Sequence, residues 1–286
     1  MQALIEFPSP FPEEPGVVRL LEPPGSDIEA LRAHLRDGSY GRPFVLENGG
    51  LRALHFSLGY VQSVMKIADP CALQLGYAQR MTAFLLFNPR PRQMVMIGLG
   101  GGSLANFCHR HLPATRLAVV EIDADVIALR EQFCVPPDDE RLQVIHGDGA
   151  DFVRDHPGRI DVLMIDAFGP DGVAEELASF EFYEQARRRL SASGVLVMNV
   201  AGNKETYARH VERLLTAFDD AVIAMSVRED GNYILFAFRD ASFAPRWKFM
   251  RAIAIELQKR LRLDFPGFAQ QLERGQALRL AQRLSA

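Results

Sequence analysis

Short apolar runs recur through the middle of this chain, each followed by a segment whose apolar residues lie three and four apart. Such runs include MVMI (Met94–Ile97), LAVV (Leu117–Val120), LQVI (Leu142–Ile145), VLMI (Val162–Ile165) and VLVMNV (Val195–Val200). Their length and composition predict buried strands near 93–99, 116–122, 142–147, 160–166, 194–200, 219–226 and 231–238. The intervening spacing predicts helices near 102–111, 124–133, 149–155, 180–190 and 204–217. Strand and helix alternating in this way is the pattern of an α/β domain with a doubly wound, mostly parallel sheet. The last two strands are separated only by Arg228–Asn232, a hairpin-type link containing Asp230-Gly231, so the seventh strand should run antiparallel to its neighbour.

An antiparallel seventh strand distinguishes a methyltransferase-type Rossmann sheet from the six-stranded dinucleotide fold. Outside it the rhythm changes. Residues 1–25, rich in Pro and Glu, read as an irregular or lightly stranded lead-in. Ser26–Gly38 has a capping serine, helical spacing and a terminating glycine, which predicts a short helix. Residues 43–67 alternate around Asn48-Gly49-Gly50, the pattern of a hairpin or small sheet. Pro70–Pro89 reads as a helix closed by prolines, and 246–286 as two helices broken at Phe265-Pro266-Gly267. The expected division is a 1–90 region with a small β-domain and linking helix, a 91–240 Rossmann-like domain and a 241–286 helical extension.

The candidate chemistry gathers where the predicted strands end. Gly98, Gly100, Gly101 and Gly102 follow the first one directly, allowing a tight turn and close approach of a ligand to a helix N-terminus. A dinucleotide fingerprint would need glycine at 103, where the chain has Ser103, so the spacing fits nucleoside-sulfonium binders better. Glu121 ends the second strand, where a carboxylate can accept hydrogen bonds from ribose hydroxyls. Asp148 ends the third, placed to accept from the exocyclic amine of adenine. Asp166 ends the fourth, ahead of a Gly/Pro-rich loop, where a carboxylate can take a proton from an amine nucleophile. Three acids in register at successive strand ends are poorly explained as unrelated surface carboxylates.

Composition changes this picture little. The net charge of −4 offers no general attraction to nucleic acid. From Arg246 to Ala286 nine basic residues face three acids, which a solvated helical face accounts for. Three cysteines at no metal-ligand spacing fit free thiols in a reducing compartment. His109 and His111, two apart on a predicted helix, point in different directions, and no metal site is expected. Ser103 lacks a nucleophile-elbow context. The first residues lack the basic start and apolar stretch of a signal peptide, and no apolar run approaches the roughly 18 residues of a membrane span. A cytoplasmic location without membrane attachment is the expectation.

From about Phe44 to Val200 the chain resembles the spermidine synthase (polyamine aminopropyltransferase) family. The resemblance rests on GYVQSVM, GYAQRM, IGLGGGS, VVEIDADVIALREQF, VIHGDGADFV and the stretch from IDVLMIDAFGPDG to GVLVMNV. It implies a small N-terminal β-domain before a methyltransferase-type Rossmann domain, a decarboxylated S-adenosylmethionine donor, a small amine acceptor and a homodimer. It further implies that Gln62 contacts the nucleoside, that Glu121 holds the ribose, and that Asp148 with Gly149 binds adenine. Asp166 would then be the catalytic aspartate. Tyr77 would position the acceptor amine, although its spacing to Met81 is one residue off the family's Tyr-Gln-Glu-Met. Two positions depart. The family's Gly-Gly-Gly-Asp-Gly carries an aspartate for the donor's amine where this chain has Ser103, and a second loop aspartate is here Gly169. Each charge-assisted contact of that kind is worth about 1.5–3 kcal/mol, so their loss weakens recognition of a polycation. Asp171, Glu175 and Glu176 are the nearby acids that can compensate.

Three readings follow. One is a transferase that uses an adenosyl-sulfonium donor, moving an aminopropyl group or, with S-adenosylmethionine itself, a methyl group. Another is a non-catalytic nucleoside-binding protein. A nicotinamide-dependent oxidoreductase is disfavoured by Ser103 and Asp148.

Overall fold

The structure is a computed structural model and describes residues 3–57, 60–167, 175–201, 204–229 and 231–284. Among these, two sheets organise the chain. The first is an antiparallel meander of β1 (Ala3–Pro8), β2 (Val17–Glu22), β3 (Phe44–Asn48), β4 (Leu51–Ser57), β5 (Tyr60–Lys66) and β6 (Asp69–Leu73). It contains the hairpin or small sheet expected over 43–67 and extends it at both ends. The Pro-rich lead-in forms β1 and β2, with Pro8 tolerated at the end of an edge strand. Helix α1 (Ile28–Asp37) links β2 to β3 and is capped by Asp27, whose carboxylate accepts from Glu29 N–H at 2.9 Å. Ser26, the expected cap, instead donates to the Pro23 carbonyl at 2.9 Å. Gly38 ends the helix as expected, in the left-handed region with φ 76°.

The segment Pro70–Pro89 departs from its predicted helix. Its first residues form β6, because an edge strand can pair Leu73 with Met65 while accommodating Pro70. Helix α2 (Gly76–Met81) begins only afterwards and tightens into a 3₁₀ turn, Thr82–Leu86.

The second sheet contains β7 (Gln93–Ile97), β8 (Arg116–Glu121), β9 (Leu142–His146), β10 (Ile160–Ile165), β11 (Leu190–Val200), β12 (Val222–Val227) and β13 (Asn232–Phe238). Their order is β12-β13-β11-β10-β7-β8-β9. Strands β7 to β11 pair in parallel, and β13 is antiparallel to both neighbours, as the short β12–β13 link predicts. The chain reverses between β7 and β10, so their carboxyl ends open a crevice.

Helices α3 (Ser103–His111), α4 (Ala124–Ala128), α5 (Gly149–Asp155), α6 (Glu175–Ala178), α7 (Phe180–Arg189) and α8 (Lys204–Ala217) connect the strands. Both faces of the sheet are covered, which explains the unbroken apolar runs. Val95, Ile97, Leu163 and Ile165 pack with Val153, Phe182, Tyr183 and Leu214 of α5, α7 and α8. Met94, Met96, Val162 and Met164 share the opposite core with Phe84 and Leu85, and with Val45, Leu54 and Met65 of the N-terminal sheet. The two sheets therefore meet through buried side chains.

Helices α9 (Trp247–Leu261) and α10 (Phe265–Leu284) close that second core. Their break falls at Arg262–Asp264 rather than at 265–267, with Arg262 at φ 58°. Pro266 and Gly267 belong to the first turn of α10, where proline needs no N–H partner, and Asp264 accepts from Gly267 N–H at 3.0 Å. Trp247 packs against the C-terminal helix, donating to Gln276 at 2.9 Å.

Candidate active site

The glycine-rich turn is shaped by what lies against it. Gly98 has φ 94°, and a Cβ there would stand 2.2 Å from the carbonyl oxygen of Asp166. A Cβ at Gly101 would stand 2.7 Å from Ser63 Oγ on β5, and one at Gly102 would stand 2.2 Å from Val135. Gly100, at φ 50°, completes the turn. Gly102 then opens α3 with no side-chain cap of its own, leaving the first amides of that helix unclaimed by a cap. Ser103, the first residue of α3, is turned toward β5: its hydroxyl lies 3.1 Å from Ser63 Oγ and donates to the Val64 carbonyl at 3.3 Å.

Glu121 ends β8 and is 8% exposed. Its Oε2 accepts from Leu99 N–H at 2.8 Å and its Oε1 from Asp123 N–H at 2.9 Å. The carboxylate thus ties the glycine turn to its own strand end, and each oxygen keeps a second lone pair. Ile122, beside it, is an apolar side chain left 68% exposed. Asp148 caps α5, with Oδ1 accepting from Asp151 N–H at 2.8 Å, and no described residue donates to its second oxygen. Gly149 is buried against β7, where a Cβ would meet Ile97 at 2.4 Å. Glu175 and Glu176 are exposed and share with Asp148 a cleft of about 610 Å³.

Asp166 follows β10 and keeps some exposed surface at the base of the crevice, with protein on most sides. Its Oδ1 accepts from Asn199 Nδ2 at 3.0 Å. Asn199, 3% exposed near the end of β11, accepts in turn from Asn232 Nδ2 at 3.0 Å. The Tyr77 hydroxyl of α2 lies within hydrogen-bond reach of the same carboxylate and 3.2 Å from the Gln62 carbonyl of β5. Burial pushes the Asp166 carboxyl up to about 6, against the opposing pull of the Asn199 and Tyr77 hydrogen bonds. At neutral pH it is an anion held near the point where it can accept a proton.

Polar contacts also join the N-terminal region to the segment that follows β8. Arg42 pairs with Asp125 of α4 at 2.8 Å, and Arg52 donates to the Gln132 carbonyl. Asp125 is in the first turn of the helix after Glu121, and Gln132 is in the 3₁₀ turn that follows it.

The spermine/spermidine synthase domain, as a sequence family, matches residues 76–226. A polyamine aminopropyltransferase of Chromobacterium violaceum is 35% identical over 230 residues, which is 80% of this chain and 88% of that protein. The chain belongs to the spermine/spermidine synthase family. It is accordingly a transferase. A probable spermidine synthase of Corynebacterium glutamicum shares the fold at a TM-score of 0.64 and 20% identity, covering 77% of this chain and 85% of that one. Human methyltransferase-like protein 13 shares it at 0.56 and 23%, covering 65% and 89%. The α/β methyltransferase-type class expected from the alternating pattern is borne out.

In this spermine/spermidine synthase family member, Gln62, Tyr77 and Asp166 meet at one end of the crevice, joined through the Tyr77 hydroxyl. Gly98, Gly100, Gly102, Ser103 and Glu121 meet at the glycine turn, and Asp148 with Gly149 opens the next helix. Gly169 and Asp171 lie outside the described residues. Sequence reasoning missed Ser63, Asn199 and Asn232. Asn199 alone carried a signal, as an amide inside an apolar strand.

No helix among the described residues is long and apolar enough to cross a membrane.

Proposed function

We propose that this protein binds an adenosyl-sulfonium donor and transfers its alkyl group, an aminopropyl group in the first reading, to a small amine. The observation that carries it is Asp166: a half-buried carboxylate without a cationic partner among the described residues, beside the backbone of the glycine turn. Isolated buried charge costs stability, and a proton-accepting role gives that cost a use. The polyamine aminopropyltransferase relatives support the same reading.

In this proposal Glu121 receives the ribose hydroxyls, the free oxygen of Asp148 receives the adenine amine, and Gln62 contacts the nucleoside from β5. The sulfonium then lies near Gly98. The amine nitrogen attacks the carbon attached to sulfur, the carbon–sulfur bond breaks, and its electron pair stays on sulfur as a neutral thioether. The proton shed by the nitrogen goes to Asp166, while Tyr77 holds the amine in line. General base catalysis of this kind contributes about 10²–10⁴-fold. Incubation with decarboxylated S-adenosylmethionine and linear diamines should release methylthioadenosine and an aminopropylated amine. Absence of both products, with no binding of either sulfonium nucleoside, would overturn the reading.

Ser103 favours a second reading, methyl transfer from S-adenosylmethionine. Its hydroxyl is spent on Ser63 and Val64, and it places no negative charge where a donor carboxylate would be repelled. Calorimetry decides between the two: tighter binding of S-adenosylmethionine than of its decarboxylated form selects methyl transfer.

A further inference from the structure

We propose that Asn199, held in place by Asn232, is a positioning residue that disfavours protonation of Asp166 at Oδ1 and sets at what pH the carboxylate can take the proton. The inference rests on the proton-acceptor role given to Asp166 above, and it adds two residues that role does not name.

Asn199 is a buried amide. Asn199 sits near the end of a strand whose other residues from Gly194 to Val200 are apolar, and it is 3% exposed. An unpaired amide there would be costly. Its two ends are both used: Nδ2 donates to Asp166 Oδ1 at 3.0 Å, and Oδ1 accepts from Asn232 Nδ2 at 3.0 Å. The order of the chain is set by chemistry. With Asp166 ionised, a reversed Asn199 amide would set oxygen against a carboxylate oxygen, and Asn232 would lose its acceptor. So the acceptor-only carboxylate orients Asn199 with its Nδ2 at Oδ1, and Asn232 holds that orientation by donating to the amide oxygen. A carboxylate oxygen that accepts an N–H is made less basic by it, so the Asn199 amide disfavours protonation at Oδ1 and stabilises the anion of Asp166.

The setting isolates this effect. Tyr77 of α2 is the titratable group that reaches Asp166. Glu121 of β8 is engaged by two backbone N–H groups. Arg80 of α2 is paired with Glu229, ahead of β13, at 2.5 Å. From β5 the contact with Tyr77 is the Gln62 carbonyl, and from the glycine turn the neighbour of Asp166 is Gly98. Among the described side chains, none brings a net charge to Asp166 that would mask the contribution of a neutral amide.

Two measurements test the proposal on the full chain. The first is ¹³C NMR titration of the Asp166 carboxyl, which needs no turnover. It should titrate near 6 in the native protein and about one to two pH units higher in Asn199→Leu, the worth of a hydrogen bond to a charged group. Asn232→Ala, one link further out, should move it in the same direction by less. The second is the pH profile of kcat/KM with decarboxylated S-adenosylmethionine and linear diamines. Its acid limb should move with the titration, so that Asn199→Leu loses about tenfold more activity at pH 6.5 than at pH 8.5. An unchanged Asp166 titration in both variants would overturn the proposal, and so would a loss equal at every pH. If the native protein turns nothing over but the titration shifts as stated, the positioning stands and the transferase reading fails.

Discussion

Gly98 and Asp166 are packed backbone to backbone: a Cβ on the first would come within 2.2 Å of the carbonyl oxygen of the second. The start of the proposed donor turn and the proposed proton acceptor are thus a single rigid junction, laced by Asp166 N–H to the Ile97 carbonyl and Gly98 N–H to the Val120 carbonyl, both at 2.9 Å.

Gly98→Ala should therefore fail twice over. Alanine disfavours φ 94°, and its methyl group would collide with backbone that cannot swing aside. Loss of donor binding measured by calorimetry is expected, together with destabilisation of about 2–4 kcal/mol by denaturant unfolding. Wild-type affinity in Gly98→Ala would show that the junction is not needed for the donor.

Asp166→Asn should lower kcat by about 10²–10⁴-fold while leaving donor affinity within a few-fold. An asparagine of the same shape keeps the packing but cannot accept the proton. Stopped assays of methylthioadenosine release at saturating donor read the first quantity, and calorimetry reads the second. Unchanged turnover would remove Asp166 from its proposed role.

The same residue fixes a pH dependence of both activity and stability. Its carboxyl is raised from 3.8 to about 6, so activity should fall as pH drops through 6 and the base becomes protonated. Stability should run the other way. Between the unfolded and folded values the folded state binds more protons, so stability contributed by this site declines as pH rises from about 4 to about 6 and stays reduced above that. Asp166→Asn should consequently be more stable than the native protein at pH 7.5, by up to about 3 kcal/mol, and no more stable at pH 4. Paired thermal melts at the two pH values check this, and equal differences at both would contradict it.

How much of this was legible in the sequence depended on the range of the forces involved. The seven strands and the antiparallel β13 were readable because apolar periodicity and a short hairpin link are local signals. The three acids at strand ends were readable for the same reason. β6 was not: Pro70–Leu73 has the composition of a helix start, and only pairing with Met65 makes it a strand. β1 and β2 were legible only as one of two alternatives, irregular or lightly stranded, because prolines obscure an edge strand that packs Phe7, Val18 and Leu20 around Phe44. In the site, the bond from Asn199 to Asp166 spans 33 residues and the contact from Ser63 to Ser103 spans 40, and neither leaves a trace in local spacing.

The sharpest test of donor identity is at Ser103. Its hydroxyl now closes against Ser63 Oγ at 3.1 Å and the Val64 carbonyl at 3.3 Å, so the first turn of α3 presents no anion to the crevice. Ser103→Asp would place a carboxylate at the end of the glycine turn. Carboxylates are favourable at a helix N-terminus, so the fold should tolerate the change. A donor whose tail ends in an ammonium should then bind about 10–100-fold more tightly, the worth of one charge-assisted contact. A donor that also bears a carboxylate should bind more weakly, because like charges would face each other in a partly buried site. Calorimetry of native protein and Ser103→Asp with S-adenosylmethionine and its decarboxylated form measures all four affinities. Reversal of the preference between them would show that residue 103 sets which sulfonium donor this chain accepts, and identical ratios would place donor discrimination elsewhere.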